Sequence, residues 1–510
     1  MQKRFTTAIL LGIGITLGLQ AQVDPGSSVT PLSLNDCIQM ALERNLTLKV
    51  ERIRPVIADS NLSIAYAGWD PSFTSSYTRF HRQQPGRVDE FNRPIPGTSS
   101  DTDNISTGIN GILPTGFQYS IQGNVSDTAF ESSFIDPVTG LPMALGSENS
   151  DGSVSINMTQ PLLRGLLVDN TRLNIKLQKN NVEFSQLGLI WQIMNLVSQV
   201  EQAYYDLIAA EENVKVQDKA VQLAERLLTE NRKRVEVGAM APLDEKQAES
   251  QFASARASLL QTQGTLARAQ NALKNLLSDE YLQWQDTVIR PNEVLRALPI
   301  AFSRQDSWHK AMTLRPDLEQ QRLNLEREGL QVKFNKNQVL PQLDVVGSFG
   351  YTGGGQGIGV SGVFGQIRRQ DNPLWSVGGR FSIPIGNRVA RNNLKIARAR
   401  EEQAVLTLKR FEQDIMVAVE NAVISAEINL QRVDATRQRR EFAKAALDAE
   451  EKKLENGKST SFFVLQLQRD LTQARSDEIQ ALTDYNRATS NLSLLEGGIL
   501  QIREISLEVE

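Results

Sequence analysis

The chain has 510 residues with 55 basic and 59 acidic side chains, a formal net charge of −4. That balance argues against a nucleic-acid partner, and the single Cys37 excludes an internal disulfide. Two histidines, His81 and His309, no cluster with metal-ligand spacing and no Ser-His-Asp arrangement leave no visible machinery for an enzyme, a cofactor or a metal site.

In chain order, residues 1–21 read as a secretory signal peptide. Lys3 and Arg4 supply the positive region, Ala8 to Leu19 the apolar run, and Leu19-Gln20-Ala21 a cleavage site ending in a small residue. Gln22 stands where a lipoprotein would need Cys. Residues 22–70 are an N-terminal segment with a first helix. No later stretch is long and apolar enough to cross a bilayer as a helix.

Residues 71–160 hold the first set of strands, near 71–81, 104–113, 117–127 and 152–160, with Pro114-Thr115-Gly116 as a tight turn. Phe117, Tyr119, Ile121 and Val125 alternate with Gln118, Ser120, Gln122 and Asn124, and Val154, Ile156 and Met158 alternate with Ser155, Asn157 and Thr159. A second set over 341–384 repeats the pattern. There Leu343, Val345, Phe349 and Tyr351 oppose Asp344, Ser348 and Gly350, while Trp375, Val377, Phe381 and Ile383 oppose Ser376, Arg380 and Ser382. A soluble half-buried sheet shows such alternation too. Runs of about ten residues between long polar loops, 82–103, 126–150 and 352–374, shift the reading to a membrane barrel. Six strands cannot close a barrel in lipid, so copies of the chain must share one.

Residues 161–277 read as a first long helical hairpin. Val197, Val200, Tyr204 and Leu207, then Val214, Val221, Ala224 and Leu228, form one seam. It faces a partner helix over about 242–277 that carries Ala248, Ala253, Ala255 and Ala257. Residues 278–304 connect to the second repeat, whose first helix spans 305–340. Residues 385–496 form the second hairpin, with helices over about 388–455 and 460–495 and with Val417, Val419 and Ala422 on the apolar side; 497–510 is a tail. Pro161 and Pro384 are expected in first helical turns, where a missing N–H costs nothing. A plain coiled-coil spacer is the alternative for the helices alone.

The two halves echo one another. Ala41-Leu42-Glu43-Arg44-Asn45 and Ala311-Met312-Thr313-Leu314-Arg315 lie 270 positions apart, as do Pro71 and Pro341. Gly238, Gln247 and Ala255-Arg256 precede Gly457, Gln466 and Ala474-Arg475 by 219. A duplicated unit that mixes strands with very long helices follows.

These features resemble the TolC-like outer-membrane efflux proteins over nearly all of the mature chain. The resemblance rests on Leu32-Ser33-Leu34 through Asn45, Thr159-Gln160-Pro161-Leu162-Leu163-Arg164-Gly165, Arg315-Pro316-Asp317-Leu318, Leu340-Pro341, and the turns at Gly238 with Asp244 and at Gly457 with Val464-Leu465. It implies a mixed α/β membrane protein: a homotrimer in outer-membrane lipid, with one shared β-barrel continuing into a periplasmic tunnel of antiparallel coiled-coil helices. It further implies a passive exit duct, without catalysis, for a tripartite efflux or type I secretion system. Its partners would be a periplasmic adaptor and an inner-membrane pump of the RND, ABC or MFS type. An exported structural coiled-coil protein with a small β domain is the competing reading.

By the same resemblance, Val237, Gly238, Ala239 and Met240, with Asn456, Gly457 and Lys458, fall at adaptor-contact tips. Asp244 falls at a position that ties the closed entrance, and a helix-dipole role explains it equally. Relatives carry aspartates where Phe463 and Gln466 stand here, and a basic residue where Ser459 stands. Phe462 or Phe463 is therefore expected either to form an apolar constriction or to pack against neighbouring helices.

Overall fold

A computed structural model of the chain describes residues 29–88, 90, 92–136, 138–139, 141–299 and 302–505. The expected signal peptide lies outside the described residues. From Val29 the order is β1 (Val29–Leu32), α1 (Leu34–Arg44), α2 (Leu46–Tyr66), β2 (Ser72–Gln84), a small hairpin of β3 (Arg87–Val88) and β4 (Pro94–Ile95), β5 (Thr98–Ile112), β6 (Gln118–Ile135) and β7 (Pro142–Pro161). Helices α3 (Asn170–Glu236) and α4 (Pro242–Leu277) follow, then β8 (Val288–Pro291), α5 (Arg304–Leu314), α6 (Pro316–Gln338), β9 (Gln342–Gln356), α7 (Gly359–Arg369) and β10 (Asn372–Ser382). The chain continues through α8 (Arg388–Glu455), α9 (Ser461–Leu495) and α10 (Ile499–Ile502).

The chain divides into two compact units. One comprises the chain up to Asn45, Val200–Ala297 and Val433–Asn486. Here β1 pairs in parallel with β8, and a capping box between Ser33 and Asp36 starts α1. Tyr204 is fully buried, and its hydroxyl donates to the Leu32 carbonyl at 3.0 Å, fixing β1 to α3. Cys37 is buried beside Asp36 and Glu293; burial above all pushes its thiol up to about 12, which keeps it protonated and unreactive. Val200, Leu207 and Ala224 of the expected seam are buried, and Leu227 rather than Leu228 takes the inner place. Of the alanines on α4, Ala248 and Ala255 face inward while Ala253 and Ala257 are exposed.

The other unit comprises Leu46–Gln199, Leu298–Arg432 and the chain from Arg487. It carries a six-stranded antiparallel sheet in the order β10-β9-β7-β6-β5-β2. The β5–β6 turn closes on Gly116, at φ +82, whose N–H donates to the Leu113 carbonyl at 2.8 Å. A core of Ala311, Leu318, Ile415, Val419, Ala422, Val423 and Leu492 packs α5, α6, α8 and α9 together. Val417, expected on this apolar side, points outward.

Several expectations change, and the loops expected over 82–103 and 126–150 are largely strand, with β5 starting at Thr98, β6 running to Ile135 and β7 starting at Pro142. The long helix begins at Asn170 rather than near 162, because Gly165 and Leu167 take positive φ and Asp169 then caps the helix through the Arg172 N–H at 2.8 Å. Pro161 thus ends a strand, and Pro384 lies in the link before Arg388, so neither occupies a first helical turn. The single helix expected over 305–340 is two, broken at Arg315 (φ −77, ψ 117), because the following Pro316 disfavours helical backbone there. Within the loop expected over 352–374 lies an ordered helix, α7, against β7 and β9.

The Arg315-Pro316-Asp317-Leu318 run has a physical basis. Pro316 opens α6, and Leu318 is buried in the core. The buried Arg315 guanidinium meets both Asp317 oxygens, at 3.0 and 2.5 Å. It also donates to the last carbonyl of α9, at Leu495, and lies 5.1 Å from the Trp191 ring. Arg315→Ala is expected to destabilise this unit by about 3 kcal/mol, since it strands a shielded carboxylate. Arg315→Lys should recover only part, because an ammonium lacks the two-pronged geometry. Denaturant unfolding in detergent checks both.

Candidate functional site

The first unit brings the two hairpin tips into view. At the end of α3 the Gly238 N–H donates to Val235 and the Ala239 N–H to Arg234, at 3.0 and 2.8 Å. At the end of α8 the Gly457 N–H donates to Leu454 and the Lys458 N–H to Lys453, again at 3.0 and 2.8 Å. Each glycine has φ +73, and each turn is a Schellman motif that satisfies the last helical carbonyls. A Cβ at either glycine would meet open space, so backbone conformation alone requires glycine there. Val237, Gly238, Ala239, Asn456, Gly457 and Lys458 are exposed and Met240 is half-buried. Both turns lead into the next helix after equal links, at Pro242 and Ser461.

A hydrogen bond joins the two tips. The buried Ser461 hydroxyl donates to Asp244 Oδ1 at 3.1 Å, and the buried Asn231 amide donates to the Asp244 carbonyl at 3.4 Å. Ser459, in the basic residue's place, instead donates to Glu450 at 2.6 Å. Lys453 first, and Ser459 with it, hold the Glu450 carboxyl below its ordinary range. Beneath the tips Leu227, Leu447, Leu454, Val464, Leu465 and Leu471 form a core. Phe462, Phe463 and Gln466 lie on the exposed side of α9, with the two rings edge-to-face at 5.7 Å. Within the chain each of the two aromatic side chains is about half exposed.

The six-stranded sheet has two chemically opposite faces. Paired residues on one face form an unbroken apolar row: Phe73, Ile109, Ile121, Ile156, Phe349 and Trp375, one from each strand. On the other face the rows are polar. One reads Ser72, Asn110, Ser120, Asn157, Ser348 and Ser376, and another Ser76, Ser106, Asn124, Ser153, Thr352 and Asn372. Hydroxyl contacts tie this face together, among them Ser76 to Ser106 at 2.8 Å and Ser348 to Ser376 at 2.7 Å. The apolar band ends outward in polar groups, where Tyr77 donates to Asp103 at 2.8 Å and His81 meets Asp101 at 2.6 Å. Where β7 and β9 carry Gly152 and Gly353 on the apolar face, buried Val363 of α7 fills the space. Apolar on one side and hydroxyl- and amide-rich on the other, with aromatics in the band, is the pattern of a barrel wall between lipid and water.

The family model described as "Outer membrane efflux protein" matches residues 117–278 and 308–498, more than half of the chain. The chain belongs to the outer membrane efflux protein family. Its membership points to the outer membrane and to an efflux channel.

Solved outer membrane proteins share the fold. The CmeC outer membrane channel of Campylobacter jejuni superposes with a TM-score of 0.63 at 16% identity, covering 97% of this chain and 94% of that one. The VceC outer membrane protein of Vibrio cholerae gives 0.64 at 17%, covering 91% and 96%. The open-state MtrE outer membrane channel of Neisseria gonorrhoeae gives 0.61 at 16%, covering 94% and 93%. Two of the three, CmeC and MtrE, are described as outer membrane channels. No curated protein sequence matches the chain.

Sequence reasoning about this efflux-family chain singled out Asp244 but missed Ser461 and Asn231. The only signal was the 219-residue offset, which sets Ser461 opposite Pro242 as the opening residue of a tip helix. Asp244→Ala and Ser461→Ala are expected to be non-additive, with a coupling of about 1.5 kcal/mol, as for a hydrogen bond to a charged group. A double-mutant cycle on unfolding in detergent measures it.

Proposed function

We propose that the protein is the passive outer-membrane exit duct of a tripartite efflux or type I secretion system, formed by three copies around a shared barrel. The observation that carries this reading is the six-stranded sheet, with an apolar row running through all six strands on one face and polar rows on the other, and with β2 and β10 as open edges. Lipid cannot satisfy the backbone groups of such edges, so copies of the chain must pair them. The helices support self-association as well. On α2, Val50, Ile53, Ile57 and Ile64 form a stripe that is more than half exposed in the single chain, as a helix packed against another copy requires.

In this assembly the helices form a periplasmic tunnel, and the exposed tips at Val237–Met240 and Asn456–Lys458 meet a periplasmic adaptor that links the duct to an inner-membrane pump. The duct moves small molecules or polypeptides without chemistry of its own. Asp244 and Ser461 tie the two tips at the entrance. The absence of acidic residues at 463 and 466 leaves an aromatic lining, and Phe462 and Phe463 narrow the closed entrance by excluding water. Their exposure within the chain supports this role over burial in its own helices.

Planar-bilayer recordings test the duct. The purified protein is expected to insert as a low-conductance channel, and Phe462→Ala or Phe463→Ala to raise closed-state conductance several-fold. No channel activity at all would overturn the duct. Unchanged conductance in both variants would remove the aromatic constriction.

A further inference from the structure

The first repeat contributes four strands to the sheet and the second contributes two. The surplus is the β5–β6 hairpin. Its turn at Leu113–Phe117 lies at the end of the sheet from which β2 and β9 start and at which β7 and β10 finish. Removing β5 and β6 would still leave β2 running one way and β7 the other, so a wall of four strands per chain is topologically available. A hairpin of this kind could cap a pore, line it or join its wall.

We infer that the β5–β6 hairpin is part of the lipid-facing wall and that the shared barrel therefore has 18 strands, six from each of three copies, rather than 12. The inference rests on the trimeric duct proposed above and adds the size and composition of its wall.

Three observations carry it. First, β5 and β6 pair along their lengths with β2 and β7: Ser72 to Gln84 lies against Asn110 to Thr98, and Gln118 to Ile135 against Thr159 to Pro142. The hairpin is inserted between its neighbours rather than laid over them. Second, its chemistry is in phase with theirs. Ile105, Ile109, Ile121 and Val125 fall on the apolar face, and Asn104, Ser106, Asn110, Ser120, Gln122 and Asn124 on the polar one. A one-residue slip at any pairing would invert this, because side chains alternate between faces. A cap would have water on both sides and no reason to hold an apolar row continuous with Phe73 and Trp375. Third, the two outer strands suit ring closure. β2 and β10 run in opposite directions with their apolar residues on the same face, Phe73 and Tyr77 on one and Trp375, Val377 and Phe381 on the other. The β2 edge of one copy can therefore accept the β10 edge of the next in the same antiparallel sense. Head-to-tail pairing of this kind generates a closed ring.

The added strands widen the barrel. With strands about 4.8 Å apart and tilted by about 40°, 18 strands give a backbone radius of about 18 Å, against about 12 Å for 12 strands.

Cryo-electron microscopy of the detergent-extracted full-length assembly tests the inference by counting strands in cross-section. Three copies around an 18-stranded wall is the expected result. Three copies around a 12-stranded wall, with β5 and β6 displaced from it, would overturn the inference and leave the duct standing. Any other copy number would overturn the trimeric reading and this inference with it. Site labelling gives a second readout in liposomes, and the buried native Cys37 does not compete for the reagent. A fluorophore on Ile105→Cys or Ile121→Cys should be quenched by lipid-borne quencher, while Ser106→Cys and Ser120→Cys should react with a water-soluble thiol reagent. Quenching absent at both apolar-face positions would contradict placement in the wall.

Discussion

The proposed duct depends on one constraint: backbone N–H and C=O groups facing hydrocarbon must be hydrogen-bonded, and lipid offers no partner. Within the chain the four inner strands of the sheet meet this condition through their ladders. The outer strands β2 and β10 meet it on one side only, although their exposed aromatic residues place them in the same apolar band. In water an exposed edge is tolerable and can be managed with charge or proline. In a bilayer it is not, and the solution is a neighbour with a matching edge. In the proposed duct, self-association thus follows from the sheet's chemistry rather than being an addition to it.

The helical unit is governed by a different requirement, that each long helix end cleanly and reverse. Glycine at φ +73 in two equal turns accomplishes this, and the pairs of hydrogen bonds agree in geometry. A third turn of the same kind closes α9 at Gly497, where Gly497 and Gly498 donate to Leu494 and Ser493. At Gly497 the cradle is tight, with the Leu314 backbone 2.8 Å from where a Cβ would sit. At Gly238 and Gly457 it is open. The tips are therefore shaped by backbone conformation alone.

Much of this was legible in the sequence, because period-two alternation and glycine turns are local signals. The strand set, the two tip turns and the long helices needed no tertiary information beyond them. Other features needed neighbours. The helix break at Asn45 has no proline to announce it; its side chain instead donates to the Leu276 carbonyl across the fold. Helix α7 sits in a Gly-rich stretch that reads as loop, and its place is set by Gly353 on the strand just before it together with Gly152 on β7, a strand distant in sequence. The partnership of Asp244 with Ser461 spans 217 positions, and no spacing rule connects an acid on one tip with a hydroxyl on the other. Alternation showed that each strand had an apolar face, but only the register showed that all six faces coincide.

The measurement closest to the central claim is the native mass of the protein extracted by detergent from the outer-membrane fraction, corrected for bound detergent. A mass of three mature chains is the predicted result, as a barrel shared among copies requires. A monomer that leaves the membrane fraction without detergent would contradict it and would fit an exported coiled-coil protein with a small β domain.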